Sequence, residues 1–200
     1  MGGHPDHRKA RTRVARHHFL STPPFFTIGH STRPIDAFTG LLRESQIACV
    51  VDVRTVPRSR TNPQYNRDTL PATLAASGVA YAHIAELGGL RPRSRDTPPE
   101  VNGFWENASF HNYADYALGP AFAAGLEALR EIGHGARCVV MCSEAVWWRC
   151  HRRIVSDYLI TRDERVFHIM GHDKVDAAER NPAAIAQGDV LVYPAQNRAP

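Results

Sequence analysis

No stretch of this 200-residue sequence approaches the roughly 18 apolar residues that a membrane-spanning helix needs, so no membrane partner is expected. The first residues, MGGHPDHRKARTRVARHHFLS, also lack the apolar core of a secretory signal, which makes the cytoplasm the expected location. Cysteine is scarce, at four residues: Cys49, Cys138, Cys142 and Cys150. In a cytoplasmic chain so few thiols argue against a disulfide framework. Cys49 and Cys138 fall within apolar, strand-like runs and read as small buried hydrophobes. Excess charge is scarce as well. The formal net charge is +4, and residues 1–20 supply all of it, with Arg8, Lys9, Arg11, Arg13 and Arg16 set against Asp6. The remainder balances 19 basic against 19 acidic side chains. The basic character therefore belongs to a tail, residues 1–21, expected as a disordered extension and not as a charged folded face.

What is present is the composition of a globular domain, 43% hydrophobic and 22% charged, with enough length for a sizeable core. After Pro23-Pro24, short apolar runs alternate with helical patterns. Strands are expected at 25–29, 47–53, 79–84, 137–141 and 165–170. Helices are expected from Pro34, at 68–77, 113–118 and 120–132, from about 147 to 160, and once more near the end, before the apolar 190-VLVY-193. The alternation predicts a single α/β domain over residues 22–200, with a mainly parallel sheet flanked by helices. A long irregular insertion, residues 85–112, follows the third strand.

In such sheets a ligand lies beyond the carboxyl ends of the strands. His30 and Ser31 follow the first strand. Asp52, Arg54, Arg58 and Ser59 follow the second. Glu86, Gly88 and Gly89 follow the third, and Cys142, Ser143 and Glu144 the fourth. Polar or flexible groups thus leave four strands at one edge. His30 could equally cap a helix or bond backbone, Asp52 and Arg54 could form a structural pair, and Gly88-Gly89 could simply permit a turn.

The stretch 137-RCVVMCSEAVWWRCHRRIVSDYL-159 concentrates the chemistry. Cys142 stands where a strand ends and a helix is expected to begin, a position whose N–H groups favour a thiolate. A reactive Cys142 acting on a small anionic or nucleotide-like substrate is one reading. Glu144 and His30 would then move protons, and Arg54 would bind the anion. Ser59, Glu86, Gly88, Gly89, Arg149, His151 and Arg152 would shape and support the pocket. This reading needs no cofactor. A second uses Cys142, Cys150 and His151 as metal ligands, although neighbours on a helix diverge by about 100° and cannot easily chelate together. Cys150 also reads as core, on one helix face with Trp147, Ile154 and Tyr158. A third reading is a nucleic-acid partner, met by the basic tail and by Arg91, Arg93, Arg95, Phe104, Trp105 and Phe110 of the insertion, cations and rings of the kind that single strands stack on. No residue pattern fixes an oligomeric state.

The ordered segments 27-TIGHS-31, 52-DVRTVPRSRTNPQYN-66, 86-ELGGLR-91, 107-NASFHNYADY-116 and 142-CSEAVWWRCHR-152 resemble the family named Domain of Unknown Function 488, over about residues 25–170. That resemblance implies one compact α/β domain and directs attention to His30, Arg54, Ser59, Cys142, Glu144, Cys150, His151 and Arg152. A fainter similarity is to rhodanese-type sulfurtransferases, in which a strand ending Asp-Val-Arg precedes an apolar strand ending in cysteine. Here six residues separate Cys142 from Arg149, the intervening loop has no glycine, and Glu144 adds a negative charge.

Overall fold

The structure is a computed structural model that describes residues 22–195, so the basic tail lies outside the described residues. A central sheet of six strands carries the order β3-β2-β4-β1-β5-β6. Its strands are β1 (Phe25–Gly29), β2 (Cys49–Asp52), β3 (Ala80–His83), β4 (Cys138–Cys142), β5 (Val166–Gly171) and β6 (Lys174–Ala177). The first five run parallel and β6 is antiparallel to β5. The connecting helices are α1 (Ile35–Glu44), α2 (Leu70–Ala76), α3 (Ala108–Tyr116), α4 (Pro120–Gly135) and α5 (Arg152–Thr161).

The pleat explains how one sheet serves two cores. Along β4, Cys138, Val140 and Cys142 share the apolar layer that holds Leu126 and Leu129 of α4 and Ile154 and Tyr158 of α5. Val139 and Met141 face the other way, against Phe38 and Leu42 of α1 and Leu70 and Leu74 of α2. Every residue of β4 is buried, which accounts for its unbroken apolar run.

Chain order then places the site. From β1 the connection passes over β4 to reach β2, whereas from β4 it passes over β1 to reach β5. The two connections leave in opposite directions, and the crevice beyond the tips of β1 and β4 is the point at which such sheets take ligands.

Three expected elements differ. The helix expected from about 147 begins at Arg152, after a single 3-10 turn at Trp147–Arg149. The Trp147 ring is stacked on buried His168, with centroids 4.5 Å apart. Cys150 then takes an extended backbone (φ −129°, ψ 144°) before the helix can start. The expected final helix is absent among the described residues. The chain instead turns at Asp173 into β6, then forms a separate two-stranded ribbon of β7 (Ile185–Gln187) and β8 (Val190–Val192) around Gly188. Tertiary anchoring overrides the Ala-rich helical preference there: the Asn181 N–H donates to Asp157 Oδ1 at 2.7 Å, and the Tyr193 hydroxyl donates to Asp157 Oδ2 at 3.0 Å. In the insertion, α3 starts at Ala108, ahead of the expected 113, because the Asn107 side chain caps it by accepting from the Ser109 and Phe110 N–H groups.

Candidate active site

The tips of β1 and β4 are stitched together by backbone. The His30 N–H donates to the Cys142 carbonyl at 2.9 Å and the Ser31 N–H to the Ser143 carbonyl at 3.0 Å. Gly29 permits this approach, since a Cβ there would overlap the Glu144 carbonyl. The third strand end closes in from the other side. A Cβ on Gly88 would strike Thr55, and one on Gly89 would strike the His151 ring. These glycines let the loop after β3 lie directly on the site.

Two cavities result. The first, of about 380 Å³, is lined by Cys142, Ser143, Glu144, Arg149, Cys150 and His151, with Arg54, Thr55, Gly89 and Leu90 opposite and Asn107, Ser109 and Phe110 from the start of α3. The second, of about 400 Å³, is lined by His30, Ser31, Thr32, Arg58, Ser59 and Asn62. Arg54, Ser143 and Glu144 line both. Glu86 stays outside: its side chain lines neither cavity, and its carbonyl accepts from Arg91 and from the Tyr116 hydroxyl. Asn107 and Ser109 are wall residues that the sequence reading missed, and the signal for them was the helix cap.

The chemistry centres on three side chains. One ligand atom from each of Cys142, Cys150 and His151 lies within 4.8 Å of the others. Cys150 Sγ is 3.6 Å from His151 Nδ1 and accepts a hydrogen bond from Arg152 Nε at 3.2 Å. Because Cys150 is extended and precedes the helix, the helical divergence that separates neighbouring side chains does not act here. Arg152 is only 1% exposed. Its other hydrogen bond goes from Nη2 to the Glu144 carbonyl at 2.6 Å, and no carboxylate pairs with it among the described residues. The two thiols divide accordingly. Cys142 is pushed up to about 12 by its hydrogen bond to Cys150 and by burial. Burial also pushes Cys150 up, but the Cys142 hydrogen bond and the Arg152 charge outweigh it and bring Cys150 down to about 6. The Arg152 hydrogen bond thus favours the thiolate at Cys150, whereas the sequence reading places it at Cys142.

His30 and Arg54 form a closed arrangement. Arg54 Nε and Nη2 donate to Asp52 Oδ1 and Oδ2 at 2.9 and 2.6 Å, Nη2 also reaches the Tyr65 carbonyl, and Nη1 reaches His30 Nε2 at 3.2 Å. His30 donates from Nδ1 to the Ser31 carbonyl at 2.8 Å, which leaves Nε2 as the acceptor for Arg54. Burial lowers His30 to about 4, so it is neutral, and its ring stacks on Tyr65 at 4.1 Å. Both ring nitrogens are thus committed.

The rings of the insertion turn inward. Trp105 is buried and stacks on Phe110 at 4.9 Å, Phe104 packs on the same core, and Arg91 lies over the Tyr116 ring while bonded to three carbonyls. Arg93 and Arg95 stay exposed. Among the described residues, no helix is long and apolar enough to cross a membrane.

Fold and site together define an α/β protein with a cysteine-lined cavity at the switch point of a mainly parallel sheet. The family model described as Domain of unknown function DUF488 matches residues 34–159, and the chain belongs to that family. No curated protein and no solved structure shows a significant match.

Proposed function

We propose that this chain is a thiol-dependent enzyme in which Cys150 is the nucleophile and Cys142 its proton-holding neighbour, acting on a small anionic substrate in the first cavity. One observation carries the reading. Arg152 is a guanidinium removed from water whose only side-chain partner among the described residues is Cys150 Sγ. A buried cation needs a counter-charge, and the Cys150 thiolate is the one at hand. The cavity volume suits a small molecule. Arg149, exposed at its mouth and free of ion pairs among the described residues, would attract an anion, and Asn107 and Ser109 would orient it. In the proposed step Cys150 Sγ bonds to the electrophilic atom of the substrate, and the leaving group departs with the electron pair of the broken bond. Glu144 at the rim is the carboxyl placed to exchange a proton with it.

A second reading has its own observation. A tetrahedral zinc with Zn–S of about 2.3 Å and Zn–N of about 2.0–2.1 Å holds S and N about 3.6 Å apart. The Cys150–His151 separation is 3.6 Å. In that reading Cys142, Cys150 and His151, which line the first cavity, would hold a thiophilic divalent metal.

Iodoacetamide labelling of the reduced, metal-free full-length protein, with mass mapping, tests the first reading. Cys150 is expected to react ahead of Cys142, Cys49 and Cys138. Labelling of Cys150 no faster than that of Cys49 and Cys138 overturns the nucleophile. Metal retained at one equivalent per chain, with Cys150 protected until it is chelated away, favours the second.

A further inference from the structure

We propose that the second cavity is an oxyanion subsite, and that the substrate acted on at Cys150 is a phosphorylated small molecule whose phosphate rests between Arg54 and Arg58. The position of the reacting atom rests on the thiol reading above, whereas the subsite stands on separate observations. The first is a count of donors. A guanidinium has five N–H groups. In Arg54, four are spent on Asp52, Tyr65 and His30. The residue is only 6% exposed and lines both cavities, and its remaining Nη1–H has no protein acceptor among the described residues. A buried donor left without an acceptor is costly, and an oxyanion would complete the set.

The second observation is Arg58. It is exposed on the wall of this cavity and, among the described residues, forms neither an ion pair nor a side-chain hydrogen bond. Arg54 is already neutralised by Asp52, so Arg58 supplies the net positive charge. Thr32 and Asn62 add a hydroxyl and an amide to the same wall. Guanidinium groups with hydroxyl and amide donors suit a phosphate, whose peripheral oxygens accept several hydrogen bonds at once.

The third is adjacency. The cavities share the Ser143–Glu144 wall, and among the described residues Glu144 is the only carboxylate lining either one. Repulsion from Glu144 places the oxyanion toward Arg58, away from the shared wall. A cavity of about 400 Å³ also exceeds what a bare phosphate fills. A phosphorylated molecule can therefore seat its anion beside Arg58 and extend its reactive end past Ser143 to Cys150.

The test uses reduced, metal-free full-length protein at low ionic strength. Inorganic phosphate, a nucleoside 5′-monophosphate, the parent nucleoside and acetate are titrated calorimetrically into the wild type, Arg58→Ala, Arg58→Lys and Cys150→Ser. Both phosphate compounds are expected to bind, and the nucleoside and acetate to bind at least about tenfold more weakly. Arg58→Ala should lose about tenfold or more of the phosphate affinity, Arg58→Lys should keep much of it, and Cys150→Ser should keep all of it. The monophosphate should also slow iodoacetamide labelling of wild-type Cys150, and fail to do so in Arg58→Ala. Absence of saturable phosphate binding, equal binding by Arg58→Ala, or acetate binding as well as phosphate overturns the subsite. Phosphate binding without protection by the monophosphate overturns the phosphorylated substrate. Unreactive Cys150 beside intact phosphate binding refutes the nucleophile and leaves the subsite standing.

Discussion

Replacing Arg152 with methionine tests the charge pair at the centre of the site. Methionine keeps much of the apolar stem of the arginine but removes the N–H that reaches Cys150 Sγ at 3.2 Å. The protein contains its own reference for what should follow. Cys138, a buried thiol on the same sheet face with no cation beside it, is pushed up to about 12 by burial. Cys150, at about 6, is roughly nine-tenths thiolate at pH 7. Cys138 also lacks a thiol donor such as Cys142, so a return of Cys150 to its level, a fall of about five orders of magnitude in thiolate fraction at pH 7, is the upper bound of the Arg152→Met effect. The more basic thiolate is a better nucleophile, with a Brønsted slope of about 0.4–0.5, which returns between two and three of those orders. The expected net effect is labelling slower at pH 7 by up to about a hundredfold. The pH profile carries the sign. In the wild type, reactivity is present above about pH 6 and lost as pH falls through that value, whereas in the variant it keeps climbing through the alkaline range. Iodoacetamide kinetics read both, Arg152→Lys should restore part of the rate, and thermal melting confirms that each variant is folded. A folded Arg152→Met protein whose Cys150 reacts within about threefold of wild type at pH 7 would refute the charge pair.

Asp157, which ties the end of the chain to α5, gives a stability prediction of opposite sign. Burial raises its carboxyl from 3.8 to about 6, so the folded chain holds that proton more tightly than the unfolded chain. The resulting stability is complete below about pH 4, is lost as pH rises through about 6, and is worth at most about 3 kcal/mol. Urea unfolding at pH 4 and pH 8 should therefore show Asp157→Asn gaining about 2–3 kcal/mol relative to wild type across that interval. A relative stability that does not move with pH would contradict this. Gly29→Ala should cost about 3 kcal/mol, because the new methyl meets the backbone of Glu144 and Ala145, which cannot rotate aside, and parts the two bonds joining the tips of β1 and β4. That corresponds to a melting temperature lower by about 6–12 °C, and a shift under about 2 °C would show that the junction can yield.

The parallel strands were legible because strands buried on both faces are nearly continuous apolar runs, as 138-CVVMC-142 is and 25-FFTIG-29 is apart from Thr27, whose hydroxyl bonds His168. The gathering of His30, Arg54, Cys142 and Glu144 followed from the sheet rule, since all four lie at or just past strand ends, but the same rule also placed Glu86 there, and its side chain lines neither cavity. The placement of Cys150 beside Arg152 was hidden. It depends on where α5 starts, and the stacking of Trp147 on His168, from β5 across the sheet, bears on that start. Nothing near residue 147 signals that contact. The stacking of His30 and the single spare donor of Arg54 were equally out of reach, because both involve Tyr65, brought in by the fold of the loop after β2. The terminal ribbon was misread as helix because its alanines favour helix locally, while the bonds to Asp157 that override them come from about 25 residues away or more.

The position of β4 between β1 and β2 bears on how the chain reaches this state. β1 and β2 are near in sequence but never pair, since each is bonded to β4, which arrives roughly 110 residues after β1. The N-terminal half cannot close its own sheet centre and must hold an apolar slot open until residues 138–142 enter it. The centre of the sheet and the thiol pair are then completed in one late event. A chain interrupted before β4 leaves β1 without either neighbour and β2 without one, so synthesis stalled in that interval is where this protein is most prone to aggregate.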